Sequence, residues 1–238
     1  MSSQDAKLIL YTNHLCPWAH RAHIALSELG LDFEEVIIDL GAPRTPEYLK
    51  INPRGLVPAL SYNGEIIIES AIVSNFLADL VPGKLLPASN TPSGALARAR
   101  SALFVDAFLS KFQPALFKLF TASTDAEKDE IIETAVGSVV KEVEPRLADA
   151  NPFFGGSATI TQAEVLTGSF VVRLAAYTRA GFYPPSFTKA LEERAPNFTK
   201  WADAVSKHPS VTGIFDEPVI VESTKARFDK IKVQAATK

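Results

Sequence analysis

Residues 8–30 read LILYTNHLCPWAHRAHIALSELG and place a strand, a turn and a helix in immediate succession. The run Leu8 to Tyr11 is apolar and of strand length. After the turn, alanines and leucines recur at the spacing of one apolar helix face, at positions 22, 25, 26 and 29. Gly30 then stands where a residue in the left-handed conformation commonly ends a helix.

Residues 33–80 continue this alternation. Phe33 to Ile38 is predicted as a second strand, so the first helix joins two strands that pair in parallel. Leu56 to Ser61 and Ile66 to Ile68 form a predicted hairpin through Asn63-Gly64, and a helix follows from Ser70 to Leu80. This order predicts a small mixed sheet with helices packed against it, and hence an α/β domain over residues 1–82.

The pattern changes after residue 82. Residues 83–94 are rich in turn formers and are predicted as a linker to an all-α domain at 95–238. Long helical patterns cover 95–121, 125–150 and 161–180, and shorter ones lie near 187–193, 196–206 and 225–235. Pro114 and Pro145 are expected to kink the first two of these helices.

Composition limits the classes of function. The 238 residues carry a net charge of -3 without a basic run, which argues against nucleic-acid and anionic-membrane partners. No stretch approaches the roughly 18 apolar residues of a membrane helix, and the N-terminus lacks a secretory signal pattern, so a cytoplasmic location is expected. His20 and His23 lie three apart with no third ligand evident, so no metal is expected.

Cys16 is the only cysteine in the sequence and the candidate catalytic residue. Pro17 suits the first helical position, which places Cys16 at the N-cap, where free backbone N–H groups and the helix dipole stabilise a thiolate. The alternative is an inert buried thiol. Ala19 stands where a Cys-x-x-Cys pair would need its second thiol. An external thiol, with glutathione as the obvious candidate, would therefore have to complete any turnover.

Two further segments have features of a peptide-binding site. A cis Val57–Pro58 bond would point the Val57 N–H and C=O outward beside the Cys16 loop, where they could pair with a peptide-like ligand. A trans bond would only mark the start of a strand. Glu69 could bind an α-ammonium group, and Ser70, as a predicted helix N-cap, could bind an α-carboxylate. A serine cap is also common without any ligand.

The helical region offers weaker candidates. Aromatic residues recur at helical spacing, at positions 104, 108, 112 and 120. Most of them are expected in the core, whereas Phe112, Phe120 and Tyr177 are candidates to line a site for an apolar acceptor. Thr161 and Glu164 fit a capping box, which is a folding feature without chemistry.

Three motifs together resemble the cytosolic glutathione transferases. Residues 16–21 look like the Cys-Pro-aromatic start of the omega-like, cysteine-type branch. Residues 52–60 look like the family's Asn-Pro-x-Gly-x-Val-Pro-x-Leu run, and residues 69–72 match its Glu-Ser-x-Ile segment. The resemblance implies a thioredoxin-like N-terminal domain that binds glutathione, an all-helical C-terminal domain that supplies the acceptor site, and a homodimer.

The resemblance also implies roles for individual residues. Cys16 would form a mixed disulfide with glutathione, and Val57 would bind the cysteinyl backbone. Glu69 and Ser70 would bind the γ-glutamyl end. The implied glutathione site also includes Pro17, Trp18 and Pro58.

The glycyl end of glutathione is less well matched. The lysine that omega-like members place before their Pro-Glu-Tyr/Trp segment is replaced by Thr45. Arg44, which is adjacent, is the candidate to bind the glycyl carboxylate instead.

The leading interpretation is a glutathione-dependent thioltransferase or reductase, acting on glutathionylated or small apolar substrates, with dehydroascorbate as a further candidate substrate. The alternative among enzymes is conjugation of glutathione to electrophiles. The non-enzymatic alternative is a ligandin, a regulatory subunit or a chloride-channel-like protein on the same fold.

Overall fold

The computed structural model describes the backbone of residues 7–236 and the side chains of residues 7–231. Within this range four strands form one sheet: β1 (Leu8–Thr12), β2 (Glu34–Ile37), β3 (Ala59–Tyr62) and β4 (Glu65–Ile68). Their order is β2-β1-β3-β4, with β1 and β2 parallel and the other two pairs antiparallel. The predicted parallel pairing and the predicted hairpin are therefore confirmed.

Three helices accompany the sheet: α1 (Pro17–Leu29), α2 (Pro46–Ile51) and α3 (Ser70–Leu80). The turns that connect these elements use the residues that the sequence indicated. Gly30 ends α1 in the left-handed conformation, with φ 65° and ψ 39°. Asn63 and Gly64 have φ values of 51° and 95°, which suits the tight turn between β3 and β4.

The rest of the described chain is helical. Its helices are α4 (Pro92–Ala107), α5 (Gln113–Thr121), α6 (Asp125–Ser138), α7 (Gln162–Arg179), α8 (Pro185–Arg194), α9 (Pro196–Lys207), α10 (Pro209–Thr212) and α11 (Glu217–Ala236). An α/β domain followed by an all-helical domain is thus confirmed. Within residues 7–236, no helix combines the length and the apolar content that crossing a membrane requires.

The two internal prolines interrupt the helices in which they lie. A π-helical segment, Phe108–Phe112, separates α4 from α5 just before Pro114. A second one, Val139–Val143, follows α6 and leads into a 3₁₀ segment that contains Pro145. Proline lacks the N–H that would continue the α-helical bonding pattern. The predicted helices over 95–121 and 125–150 are consequently each divided.

Two predicted helix starts are wrong, because the residues that cap these helices were not recognised in the sequence. Helix α4 begins at Pro92, inside the predicted linker, since the Thr91 hydroxyl accepts the Gly94 N–H at 3.1 Å. Helix α11 begins at Glu217 rather than near 225, and the Asp216 carboxylate accepts an N–H of its first turn at 3.2 Å. The predicted domain limits at 82 and 94 stay a proposal, and their outer ends, residues 1–6 and 237–238, lie outside the described residues.

Helix α1 is at the centre of the packing. Every residue from Ala19 to Leu26 is buried, and α1 packs against α3 of the first domain and α7 of the second. Helix α7 is likewise buried from Gln162 to Leu174. One apolar core therefore extends through both domains.

The carboxylate of Glu164 joins three segments of the helical domain. It accepts the Thr161 N–H at 2.9 Å and the Thr161 hydroxyl at 2.6 Å, so the predicted capping box is confirmed. It also accepts the Phe154 N–H at 2.8 Å and the Trp201 indole N–H at 2.7 Å. Glu164 is fully buried, and its role extends from capping α7 to holding the preceding loop and α9 in place.

Replacing Glu164 by alanine should lower the free energy of unfolding by about 3 kcal/mol or more, because buried donors such as the Trp201 indole lose their acceptor. Urea denaturation measures this change. The matched control is Glu133→Ala, which removes a surface carboxylate paired with Arg194 and should have little effect. A loss for Glu164→Ala no larger than that of the control would contradict this account.

Candidate active site

Cys16 lies where β1 ends and α1 begins. Its backbone is extended (φ -81°, ψ 117°), and Pro17 occupies the first helical position, so the predicted N-cap placement is confirmed. The Cys16 N–H donates to the Asn13 carbonyl at 3.0 Å, and the Asn13 amide donates to the Ile38 carbonyl at 2.9 Å. These bonds tie the Cys16 loop to the end of β2. The half-buried thiol lies 3.9 Å from the Val57 carbonyl oxygen.

A cavity of about 540 Å³ opens beside Cys16. Its lining consists of Cys16, Trp18, Arg21, Leu40, Arg44, Asn52, Leu56, Val57, Pro58, Glu69, Ser70 and Ala71. The structure therefore brings together the residues predicted for a glutathione site except Pro17, which lines a different cavity. The Val57–Pro58 peptide bond is cis.

The start of α3, which lies in the wall of this cavity, differs from the prediction. Glu69, not Ser70, occupies the N-cap position of α3, and Ser70 is the first helical residue. The cause is the backbone of Glu69, whose φ of 71° is in the region that favours glycine. Such conformations are concentrated at functional sites. The Glu69 carboxylate is paired with Arg54, and the Ser70 hydroxyl accepts a hydrogen bond from Arg21 Nη1 at 3.1 Å.

Arg21 is the most important cavity residue that the sequence analysis missed. Its side chain is buried, and its guanidinium lies over the Trp18 ring, 4.4 Å from the centroid. Nε and Nη2 have no hydrogen-bond partner within the described part of the chain. Burial lowers the pKa of Arg21 to about 9, and negative charge on Cys16 opposes this shift. The signal in the sequence was a cation in a helical run that is apolar from Ala19 to Leu26 apart from Arg21 and two histidines.

Arg44 lines the same cavity but also braces the loop around it. Nε donates to the Gly55 carbonyl at 2.9 Å, and Nη1 donates to the carbonyls of Asp39 and Ala42, both at 2.6 Å. These bonds hold residues 39–44 against the segment that leads to Val57. Nη2 takes no part in these three bonds, which leaves it as the nitrogen through which Arg44 could contact a ligand.

Trp18 also lines a second cavity, of about 230 Å³. Phe120 and Tyr177 lie in its wall with their ring centroids 5.4 Å apart. Phe112 is not among the lining residues; it is fully buried and packs against Phe198 in the core. The prediction for Phe112 is wrong because residues eight apart lie roughly 80° apart around an α-helix, so Phe112 and Phe120 face different ways.

His20 and His23 face different sides of α1. The His20 ring stacks on Phe215, and its Nδ1 lies 3.1 Å from Arg173 Nη1, on the side of the helical domain. His23 lies on the side of the sheet, with Nε2 at 2.9 Å from the Thr12 hydroxyl. Neighbouring turns of a buried helix thus present their polar groups to different domains.

Similarity to known proteins is found in both sequence and structure. A family model for the glutathione S-transferase N-terminal domain matches residues 15–80. Glutathione S-transferase U16 of Arabidopsis thaliana is 30% identical over 223 residues, which cover 92% of this chain and 91% of that protein.

Two solved structures are similar over nearly the whole chain. Glutathione transferase Omega 2C of Trametes versicolor has a TM-score of 0.76 at 27% identity, covering 94% of this chain and 99% of that one. Rice GST1 in complex with glutathione has a TM-score of 0.75 at 25% identity, covering 95% and 98%.

The stability of this protein should depend on pH through His20. Burial, and then the charge of Arg173, hold the pKa of His20 well below its usual value, so its ring stays neutral in the fold. The unfolded chain binds a proton there below about pH 6.5, and the free energy of unfolding should therefore fall as the pH decreases below that value. His23 contributes in the same direction, because burial lowers its pKa to about 4.

Urea denaturation between pH 7.5 and 4.5 measures this decline. His20→Gln keeps an acceptor for Arg173 but no titrating ring, and should make the decline shallower. His208→Gln, which removes a histidine elsewhere in the chain, is the control. A decline in His20→Gln as steep as in the unmodified chain would contradict the assignment.

Proposed function

The chain belongs to the glutathione S-transferase family, and from this premise we propose that it is a glutathione-dependent thioltransferase or reductase of the omega-like kind with Cys16 as its nucleophile. The observation that carries the proposal is the position of the Cys16 thiol. It lies at the N-terminus of α1 and in the wall of the cavity that also contains Val57, Glu69 and Ser70. Reactive cysteines are commonly found at helix N-termini, and the thiolate is the form that attacks disulfides.

The proposed reaction has two thiol–disulfide exchange steps. In the first, the Cys16 thiolate attacks the glutathione sulfur of a mixed disulfide, a new S–S bond forms to Cys16, and the substrate leaves as its thiolate. In the second, the thiolate of another glutathione attacks that new bond. Oxidised glutathione leaves, and Cys16 is restored as a thiolate. Because Cys16 is the only cysteine, the second thiol has to come from solution.

We assign glutathione to the 540 Å³ cavity. Its cysteinyl backbone would pair with Val57, whose carbonyl lies 3.9 Å from the Cys16 sulfur. Its γ-glutamyl α-carboxylate would bind at Ser70 and the α-ammonium at Glu69. Arg21 strengthens this assignment, because its buried cation donates to the Ser70 hydroxyl and would attract a carboxylate that docks there.

Arg44 remains the candidate for the glycyl carboxylate. It lines the cavity, and its Nη2 is not used in the three carbonyl bonds that brace the loop. The acceptor would occupy the 230 Å³ cavity. Trp18 is in the wall of both cavities, and the aromatic rings of Phe120 and Tyr177 suit a small apolar group. The homodimer stays a prediction, which sedimentation equilibrium would check.

Conjugation of glutathione to electrophiles is the second candidate. It is favoured by the similarity to glutathione S-transferase U16, which is as close in sequence as the omega-type structure. In that reaction the glutathione sulfur, rather than Cys16, would be the nucleophile. The two candidates therefore differ in whether glutathione becomes covalently attached to the protein.

Incubation with oxidised glutathione should add one glutathionyl group to the unmodified chain, and mass spectrometry should locate it on Cys16. Cys16→Ser should carry none and should lose activity toward a glutathionylated peptide. If Cys16→Ser keeps that activity, the thioltransferase proposal fails. If it instead gains conjugating activity toward an aromatic electrophile, the same site can also support conjugation once Cys16 is removed.

A matched control tests whether the position of the thiol matters. The double substitution Cys16→Ser with Ser27→Cys moves the single thiol to an exposed position near the other end of α1. This variant should react with oxidised glutathione much more slowly than the unmodified chain, because it lacks the helix N-terminus. Equal rates for the two thiols would show that the α1 N-terminus confers no reactivity.

Arg21→Met should separate ligand binding from stability. Loss of a charged hydrogen-bonding group should weaken glutathione binding about tenfold or more, measured by calorimetry. The free energy of unfolding should change little or increase, because burying a cation is costly and Arg21 leaves Nε and Nη2 without hydrogen-bond partners in the described part of the chain. Arg146→Met, at a guanidinium outside this cavity, is the control and should bind glutathione normally. Unchanged affinity in Arg21→Met would remove Arg21 from the site.

A further inference from the structure

Two histidines and a glutamate from three different elements meet beside the Cys16 loop. His14 is in the loop between β1 and α1, His23 is on α1, and Glu35 is on β2. Glu35 Oε1 lies 2.7 Å from His14 Nε2 and 3.4 Å from His23 Nε2. One ligand atom from each residue lies within 4.8 Å of those of the other two. We propose that His14, His23 and Glu35 form a binding site for a divalent transition metal such as Zn²⁺.

Two of the three separations are close to those of a tetrahedral site, and the third, between His14 and His23, is within 4.8 Å. Metal–ligand bonds of about 2.0–2.1 Å place the ligand atoms of tetrahedral zinc roughly 3.3 Å apart. The His23–Glu35 separation already matches this value, and the His14–Glu35 separation has to lengthen by roughly 0.6 Å. That movement is available, because the side chains of His14 and Glu35 are 43% and 33% exposed, whereas His23 is held by burial. The fourth position would open toward solvent and hold water.

The ligand set indicates the class of metal. Two imidazoles and one carboxylate suit zinc, cobalt, nickel or copper, whereas magnesium and calcium prefer oxygen ligands alone. The ring of His23 is buried between Thr12 and Glu35. The Thr12 hydroxyl, now 2.9 Å from His23 Nε2, would give up that contact when the nitrogen binds a metal.

Metal binding would stiffen the segment that carries Cys16. His14 is two residues before Cys16, and the Asn13 carbonyl accepts the Cys16 N–H. At present this loop is attached to the β2 side of the sheet by the Asn13–Ile38 hydrogen bond and by the His14–Glu35 contact. A metal would replace the His14–Glu35 contact. Its bonds to His14, Glu35 and His23 would then connect the loop to β2 and α1. The proposal stands independently of the proposed function, since none of its ligands lines the 540 Å³ cavity.

Calorimetric titration with Zn²⁺, on protein freed of any affinity tag, tests the site. The parent for this experiment is Cys16→Ser, which removes the thiol as a competing ligand. It should bind one equivalent of Zn²⁺ and none of Mg²⁺. His14→Gln and Glu35→Gln should each weaken Zn²⁺ binding at least about tenfold. His208→Gln is the matched control, because it alters a histidine that contacts Glu28 elsewhere, and it should bind as the parent does.

One spectroscopic and one thermal measurement accompany the titration. Co²⁺ should give the intense visible absorption of a tetrahedral site in the parent and in His208→Gln but not in Glu35→Gln. Zn²⁺ should raise the unfolding temperature of the parent by mass action and should raise that of His14→Gln by less. The proposal is overturned if the parent does not bind Zn²⁺, if Mg²⁺ binds as well as Zn²⁺, or if His14→Gln and Glu35→Gln bind as tightly as the parent.

Discussion

The burial of helix α1 between the two domains is the constraint on which the rest of the structure depends. A helix that is enclosed on every side is expected to be apolar all round, yet every residue from Ala19 to Leu26 is buried and three of them are polar or charged. Burying such groups is costly unless they find partners. The positions of the partners therefore decide how the domains meet and where the chemistry is located.

Each of the three polar residues on α1 faces a different part of the molecule. Arg21 donates to Ser70 at the start of α3 and borders the cavity next to Cys16. His20 faces Arg173 on α7 and so lies at the junction with the helical domain. His23 faces the sheet and the His14–Glu35 contact. Two buried guanidiniums lie beside the Cys16 loop, and they come from two helices, Arg21 from α1 and Arg173 from α7.

The sequence predicted those parts of the site that depend only on residues close together in the chain. Pro17 after a strand is sufficient to place Cys16 at a helix N-cap, and Asn63-Gly64 is sufficient to make a hairpin. The prediction for Ser70 failed because the backbone of Glu69 adopts a positive φ, which propensity does not indicate. The prediction for Phe112 failed because Phe112 faces the core, away from the cavity that Phe120 lines. Arg21 was missed because its exposure depends on α3 and α7, both far away in the chain.

The sequence by itself determined the order of the elements, the division into an α/β and an all-helical part, and the placement of a single thiol at a helix start. Hydrogen bonding and steric preference act over a few residues, so these features can be read from neighbours. Only the tertiary structure decided which residues line the cavity beside Cys16, that Arg21 is buried beside Ser70, and that His14 and Glu35 meet at His23. Those contacts join residues from separate elements, and they exist only once burial of the apolar core has brought β2, α1, α3 and α7 together.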